Sequence, residues 1–326
     1  MPSRRTVLLG LAASCLGFGA RAAAGAPYPS RPIKLVVPFP PGTPSEFVIR
    51  AVAERLSARF GKPVVIENRP GGAGGTVGAA AVANAEPDGS TLLASPPGPL
   101  VTAGAIYKNL GYDPATSFAP VALLFNSPQL LAIHPAVPAR SLAELVTHAK
   151  NNPGKLSFAS PGYGTQPHLL GEMLKTTAGI EIVHIPYKGP AAALTDLLAG
   201  QVQIYFETSP LILPQAEAGK LRVLAIAADR RLPQLPNIPT TAEGGFPQLT
   251  GGFWSGIVAP AGTAPEIVGL LNAAINDAMQ TPAVGQALAT LGAQPRLGSP
   301  QDFRTFLADE RLKWTAVIAA ANLKID

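Results

Sequence analysis

The sequence predicts a two-lobed α/β protein with mostly parallel sheets and a cleft between the lobes. Three observations lead there. From Ile33 onward, short apolar runs alternate with helical periodicity, the rhythm of strand–helix–strand crossovers. The rhythm breaks and restarts near Ser141, so two such units share the chain. The chain has 326 residues, 47% of them hydrophobic and 14% charged, enough for two domains with cores of their own.

The elements follow in order. IKLVVPF (33–39) reads as a strand. SEFVIRAVAERLSARFG (45–61) reads as a helix, with Val48, Val52 and Leu56 on one stripe and Gly61 at its end. PVVIEN (63–68) is a second strand. RPGGAGGTVGAAAVANAEPDG (69–89) is a Gly-rich turn into an Ala-rich helix, stopped by Pro87-Asp88-Gly89, and STLLAS (90–95) is a third strand. In the second unit SLAELVTHAKNNPG (141–154) is a helix, with Ser141 and Glu144 at capping-box spacing. KLSFAS (155–160) is a strand, PGYGT a turn and QPHLLGEMLKTTAG (166–179) a helix. IEIVHIPY (180–187) is a strand and AAALTDLLAGQ (191–201) a helix. VQIYFE (202–207) and LRVLAIAA (221–228) are further strands. FWSGIVAP (253–260) follows, then helices beginning near Pro265, Pro282 and Ser299. NSPQ (126–129) and GGFPQLTGGF (244–253) are the expected crossings between lobes. Residues 25–127 plus 250–326 would then form lobe one, and 128–249 lobe two.

The first 24 residues read as an export signal. Arg4 and Arg5 precede an apolar run to about Ala20, and small residues suit cleavage near Ala24. That run is shorter than the ~20 residues of an ordinary membrane span. The arginine pair is compatible with the twin-arginine route and with general secretion. Removing the signal takes away Arg4, Arg5 and Arg21, leaving 22 basic and 20 acidic residues of the original 25 and 20. A net charge of +2, without a basic cluster or DNA-reading motif, excludes nucleic acid as the expected partner. Cys15, the only cysteine, lies within the signal. A mature chain would have no disulfide, thiolate metal site or cysteine nucleophile.

Two turns carry the functional argument. In PFPPGTPSE (38–46), Thr43, Pro44 and Glu46 occupy N-cap, first and third positions of a helix. These residues suffice for a helix start alone. The start also follows a parallel strand, where α/β proteins bind ligands, and a helix N-terminus attracts anions. Glu46 would repel an anion unless it turns back to its cap. SPGYGTQPH (160–168) repeats the arrangement in the second unit, with Thr165 as N-cap, and the two turns could face each other. His168 reads either as a ligand donor or as a structurally satisfied side chain.

Other motifs do not support chemistry. PGGAGGTVG (70–78) has Val77 where a dinucleotide fingerprint needs its last glycine, and no phosphate-loop signature occurs. His134, His148, His168 and His184 are scattered, without helical metal spacing. His148 reads as a helix-surface residue and His184 as strand packing. GFWSG lacks the order of a hydrolase elbow. No catalytic set, cofactor or metal is expected, and binding is favoured over catalysis.

YPSRPIKLVVPFPPG, GKPVVIENRPGGAGGTVGAAAVANAEPDGSTLL, SPGYGTQPHLLGEML, HIPYKGPAAALTDLLAGQVQIYF and LRVLAIAADRRLPQLPNIPTTAEGGFP resemble one family throughout. It is the substrate-binding proteins of tripartite tricarboxylate transporters, the Bug family. The resemblance runs from Tyr28 to the C-terminus. It implies a periplasmic solute receptor of the type II, Venus-flytrap fold. Such a receptor closes on a small carboxylate (a di- or tricarboxylate, amino acid or aromatic acid) and delivers it to a membrane permease. A monomer without enzymatic activity is expected. A receptor feeding a membrane sensor, and an exported enzyme on the same fold, are the alternatives. The family's binding loops match the two turns, so the expected ligand contacts are Phe39, Pro41, Gly42, Thr43, Ser45 and Glu46 from the first. Ser160, Gly162, Tyr163, Gly164, Thr165 and His168 come from the second, with Ser95 and Tyr187 nearby. A ligand bridging Thr43 and Ser45 to Thr165 and His168 would favour the closed form. The family's first loop commonly reads Gly-Gly-x-x-Asp, whereas this chain has Gly42-Thr43-Pro44-Ser45-Glu46. The Asn-Pro common after the third strand is Ser95-Pro96 here. Ligand identity therefore does not transfer from the family.

Overall fold

The computed structural model describes residues 28–323; the expected export signal lies outside them. The chain opens with β1 (Ile33–Val37), α1 (Pro44–Phe60), β2 (Val64–Asn68), α2 (Thr76–Ala83) and β3 (Thr91–Ser95). β1 pairs in parallel with β2 and β3. A π-helical turn over Gly98–Thr102 leads into α3 (Ala103–Ile106) and then β4 (Phe118–Ile133). The second unit comprises α4 (Leu142–Asn151), β5 (Leu156–Ser160), α5 (Gln166–Ala178), β6 (Ile182–Pro186), α6 (Pro190–Leu198), β7 (Ile204–Thr208), α7 (Ser209–Glu217) and β8 (Arg222–Ile226). β9 (Gly252–Pro260), α8 (Pro265–Met279), α9 (Pro282–Thr290), the short β10 (Gln294–Pro295) and α10 (Pro300–Ala320) complete it.

β4 joins the two halves. Its first part, Phe118–Pro128, pairs antiparallel with β9, which also pairs with β3. From Gln129 to Ile133 it pairs antiparallel with β7 instead, and β5 and β6 extend that side in parallel. The strand order is β2-β1-β3-β9-β4-β7-β5-β6. Residues 118–133 carried no expected element, although they form the longest strand. Pro120 and Pro128 hide it, because proline cannot donate to a ladder. Here the register slips by a bulge between Pro120 and Ala122, and Pro128 sits where the pairing partner changes. Gly252 opposes Pro128 at that point, and a Cβ there would lie 2.6 Å from the Ser127 carbonyl oxygen. Only glycine lets the backbones approach this closely.

Each side of the sheet has an apolar layer. Leu35, Val37, Val48, Val52 and Leu56 pack β1 on α1, with Leu271 and Ile275 of α8 in the same cluster. The stripe expected along 48–56 is therefore buried. On the other half Leu130, Tyr205, Leu197 and Ile212 join β4 and β7 to α6 and α7. The C-terminal helix α10 lies across β4 and reaches α5. Trp314 of α10 and Trp254 of β9 both donate their indole N–H to the buried Glu310 carboxylate, at 2.9 and 3.1 Å. A buried carboxylate is tolerable there because its lone pairs are used.

The helix starts differ from expectation in one instructive way. Ser299 closes a full capping box with Asp302 at the head of α10. Ser141 accepts from the Glu144 N–H at 3.2 Å, but Glu144 reaches back to the Arg140 N–H. At α1, Thr43 has N-cap backbone angles yet its side chain makes no capping bond. The expected Thr43–Glu46 box does not form, and the Glu46 carboxylate instead accepts from the Gly42 N–H at 3.0 Å. Gly42 makes this possible with φ at 90°.

Candidate functional site

A cavity of about 800 Å³ opens between the two halves of the sheet, within the range of small-molecule sites. Phe39, Thr43 and Ser45 line it from the β1–α1 turn, and Tyr163, Gly164 and Thr165 from the β5–α5 turn. Both turns follow the carboxyl ends of parallel strands, where open α/β sheets place ligands.

The two turns share one construction. In each, the third residue of the helix captures the backbone N–H of a positive-φ glycine four residues earlier. Glu46 does so for Gly42, and His168 Nδ1 accepts from the Gly164 N–H at 3.0 Å. In each, the N-cap threonine is released from capping its helix. Thr43 Oγ1 lies 3.4 Å from Ser45 Oγ, and Thr165 Oγ1 donates to the Gly162 carbonyl at 2.7 Å. Glu46 and His168, both expected ligand contacts, are turned inward and buried.

The supports behind each turn are polar. Glu46 also accepts from Asn68 Nδ2 at 3.3 Å and pairs with Arg50. Asn68 in turn holds the Phe39 carbonyl at 3.0 Å. Behind the second turn His168 and His184 stack with ring centroids 3.9 Å apart. Tyr163, itself 59% exposed, closes over both rings edge-on at 5.3 and 5.1 Å. Burial pushes His168 down to about 3, helped by His184 and Lys175, and pushes His184 down to about 4, helped by Lys175. Both rings are neutral at physiological pH. Because Nδ1 of His168 accepts, its proton is on Nε2, which faces Glu172 at 4.0 Å. His184 Nε2 contacts Ser160 Oγ at 2.7 Å, and Ser160 accepts from the Gly162 N–H at 3.2 Å. His184 thus belongs to the scaffold of the turn as well as to strand packing.

The expected site residues divide accordingly. Phe39, Thr43, Ser45, Tyr163, Gly164 and Thr165 line the cavity. Glu46, Ser160, Gly162 and His168 shape the turns from behind. Pro41 and Gly42 are exposed and do not line it. Ser95 is buried and gives its hydroxyl to the Pro96 carbonyl at 3.0 Å. Tyr187 donates to Asp196 at 2.8 Å.

Several lining residues were not among the expected contacts. Pro96, Ile106 and Phe253 supply apolar wall, while Gln129, Gln166 and Glu207 supply polar groups. Gln129 follows Pro128 at the switch in β4 pairing, Gln166 is the first residue of α5, and Glu207 is the last but one residue of β7, before Thr208. The strand-end rule would have nominated Glu207 and Thr208. Glu207 accepts from the Thr208 N–H at 2.7 Å, from Thr208 Oγ1 at 3.1 Å and from the Tyr205 hydroxyl at 2.7 Å. Burial raises its carboxyl pKa, opposed by those donors. Among the described residues, no group of three or more His, Cys, Asp and Glu could hold a metal ion. No helix of the described residues is long and apolar enough to cross a membrane.

Known proteins of this architecture share both its sequence and its shape. The family model for the "Tripartite tricarboxylate transporter family receptor" matches residues 48–323. Protein BugT of Bordetella pertussis is 37% identical over 324 residues, 99% of each chain. The structure of R. palustris Rpa4515 with adipate is 36% identical, with a TM-score of 0.75, and covers 91% of this chain and all of its own. MatC from Rhodopseudomonas palustris with bound malate is 33% identical, with a TM-score of 0.71, and covers 89% of this chain and all of its own. The fold is that of two-lobed periplasmic binding proteins. From near-full-length identity and the family match together, this chain belongs to the tripartite tricarboxylate transporter receptor family.

Proposed function

We propose that the protein is a periplasmic receptor that takes up a small carboxylate in the cleft and passes it to a membrane permease. The observation that carries this reading is the matched pair of helix starts on the cavity. Each brings a helix N-terminus, with its unmatched N–H groups and partial positive charge, to the cavity wall. Each removes its own bulky third-position side chain from the ligand's path. Among the described residues no lysine or arginine lines the cavity, so a carboxylate would be held by backbone dipoles and hydroxyls. Adipate and malate in the two related structures are both carboxylates, which supports the same class here.

In this reading residues 1–24 direct export and are removed. Lobe one is 25–127 plus 250–326, lobe two is 128–249, and closure bends the chain where β4 changes partners. Thr43 and Ser45 contact the ligand from lobe one, Gly164 and Thr165 from lobe two. A ligand touching both lobes favours the closed form by its differential affinity. The protein acts as a monomer and catalyses no reaction. The test is the thermal midpoint against mono-, di- and aromatic carboxylates and matched uncharged solutes. Carboxylates should raise the midpoint; a rise with uncharged solutes alone would refute the reading.

A further inference from the structure

The polar groups on the inner wall of the cavity do not match a ligand that is only a carboxylate. Gln166 is 8% exposed, and neither its amide oxygen nor its amide nitrogen has a protein partner. Gln129 is 2% exposed, and its amide oxygen is likewise unpartnered. Buried amides left unmatched are costly, and natural proteins seldom keep them without a ligand or water to satisfy them. Glu207, 7% exposed, is the one acidic or basic residue among the described residues that line the cavity. Among the described residues no lysine or arginine pairs with it.

The hydrogen bonds of Glu207 fix what it can offer. Oε1 accepts two bonds from Thr208 and Oε2 accepts one from Tyr205. Burial raises its carboxyl pKa, and the three donors oppose that rise by favouring the ionised, acceptor-only form, which has about four acceptor positions. The remaining one, on Oε2, has no protein donor among the described residues. The cavity thus presents helix N-termini at Thr43, Thr165 and Thr208 together with acceptor oxygens at Glu207 and Gln129. A dicarboxylate would set its second negative charge in a cavity whose one ionisable acid or base among the described lining residues is the carboxyl of Glu207.

We propose that Glu207, with Gln129 and Gln166, selects a ligand carrying, besides its carboxylate, a hydrogen-bond-donating nitrogen, an ammonium or an amide. This rests on the carboxylate reading above and narrows it to amino- or amido-carboxylates. The nitrogen donates to Glu207 Oε2 and to the Gln129 amide oxygen. An amide ligand also matches both atoms of Gln166.

The test is titration calorimetry with matched six-carbon probes: hexanoate, adipate, adipate monoamide and 6-aminohexanoate, with hexanamide as the uncharged control. The four- and five-carbon series are run alongside. At the best chain length the nitrogen-ended probes should bind about tenfold or more tighter than the dicarboxylate, the scale set by unmatched buried polar groups. Glu207→Gln should weaken the ammonium probe about tenfold, narrow the gap to the dicarboxylate and leave the simple monocarboxylate within about twofold. Gln166→Leu breaks no protein hydrogen bond and serves if Glu207→Gln folds poorly; it should weaken the amide probe severalfold. The proposal is overturned if the dicarboxylate binds at least as tightly at every length, or if neither variant changes the ranking. In that event, binding of hexanoate over hexanamide would leave the carboxylate reading standing. Binding of hexanamide alone would sink both, and silence across every series would count against both.

Discussion

Acidification from pH 7 to pH 5 should destabilise this fold by an amount the two stacked histidines set. Their folded values lie near 3 for His168 and near 4 for His184, against 6.5 for a free histidine. The neutral form is the folded form. Stability is therefore complete above about pH 6.5 and is lost as pH falls toward 4, because the unfolded chain takes up protons that the folded chain refuses. One proton of difference is worth about 1.4 kcal/mol per pH unit, so each histidine costs about 1.9 kcal/mol between pH 7 and 5, and the pair about 3 to 4 kcal/mol. That is a large share of the ~5–15 kcal/mol that holds a typical domain together. The carboxylates with lowered values, Asp88, Asp113 and Glu67, lose their contribution at lower pH and leave this window to the histidines. Glu207, raised by burial, acts in the opposite sense, and Glu207→Gln removes it as a control. The assay is urea unfolding at pH 7, 6 and 5, on the wild type and on His184→Phe. The phenyl ring keeps the stack on Phe158 and His168 but cannot titrate. The pH slope should fall by roughly half in the variant. A wild-type slope below about 0.5 kcal/mol per unit, or one unchanged in His184→Phe, would refute a buried neutral pair.

Three substitutions test separate parts of the construction. Thr43→Gly removes a hydroxyl that makes no cap bond, so unfolding free energy should change by less than about 1 kcal/mol. The affinity ranking over a carboxylate panel should shift by about threefold to tenfold, one hydrogen bond's worth; an unchanged ranking would remove Thr43 from the site. Gly171→Ala places a Cβ 2.1 Å from the Phe158 ring where α5 lies on β5, so denaturant unfolding should show a loss of about 1–3 kcal/mol. Glu310→Ala strands the indole N–H groups of Trp254 and Trp314 in the core, with an expected loss of about 2–4 kcal/mol by the same measurement.

The helices and parallel strands were legible because their signals are local. Val48, Val52 and Leu56 mark a buried face within a few turns of one another, and Ser299 marks a helix start three residues from its partner Asp302. The position of Thr43 at the head of α1 was equally local. Its bonding was not, since Glu46 reaches Gly42 only after the backbone has turned through a φ of 90°. β4 escaped because two prolines argue against a central strand, and only the bulge and the change of partner at Pro128 make them tolerable. Gln129 and Thr208 are opposed by strand register across most of the second unit, a proximity that no local pattern encodes. The His168–His184 stack joins a helix to a strand, and four scattered histidines could not announce it.

The two helix starts are alike in geometry and unlike in charge. Glu46 puts a carboxylate against the N-terminus of α1, and its partner Arg50 is half exposed, so solvent screens part of that pairing. His168 occupies the same position on α5 as a neutral ring. An acidic side chain at the third helical position offsets the partial positive charge that would otherwise face the cavity, whereas a neutral acceptor leaves it in place. The low pKa of His168 therefore serves the cavity as well as the turn: a group that can accept the Gly164 N–H without bringing a charge keeps the α5 terminus the more electropositive of the two. Lysine or arginine at either place could not accept that hydrogen bond, and an aspartate or glutamate at 168 would bring a second negative charge to a cavity already lined by Glu207.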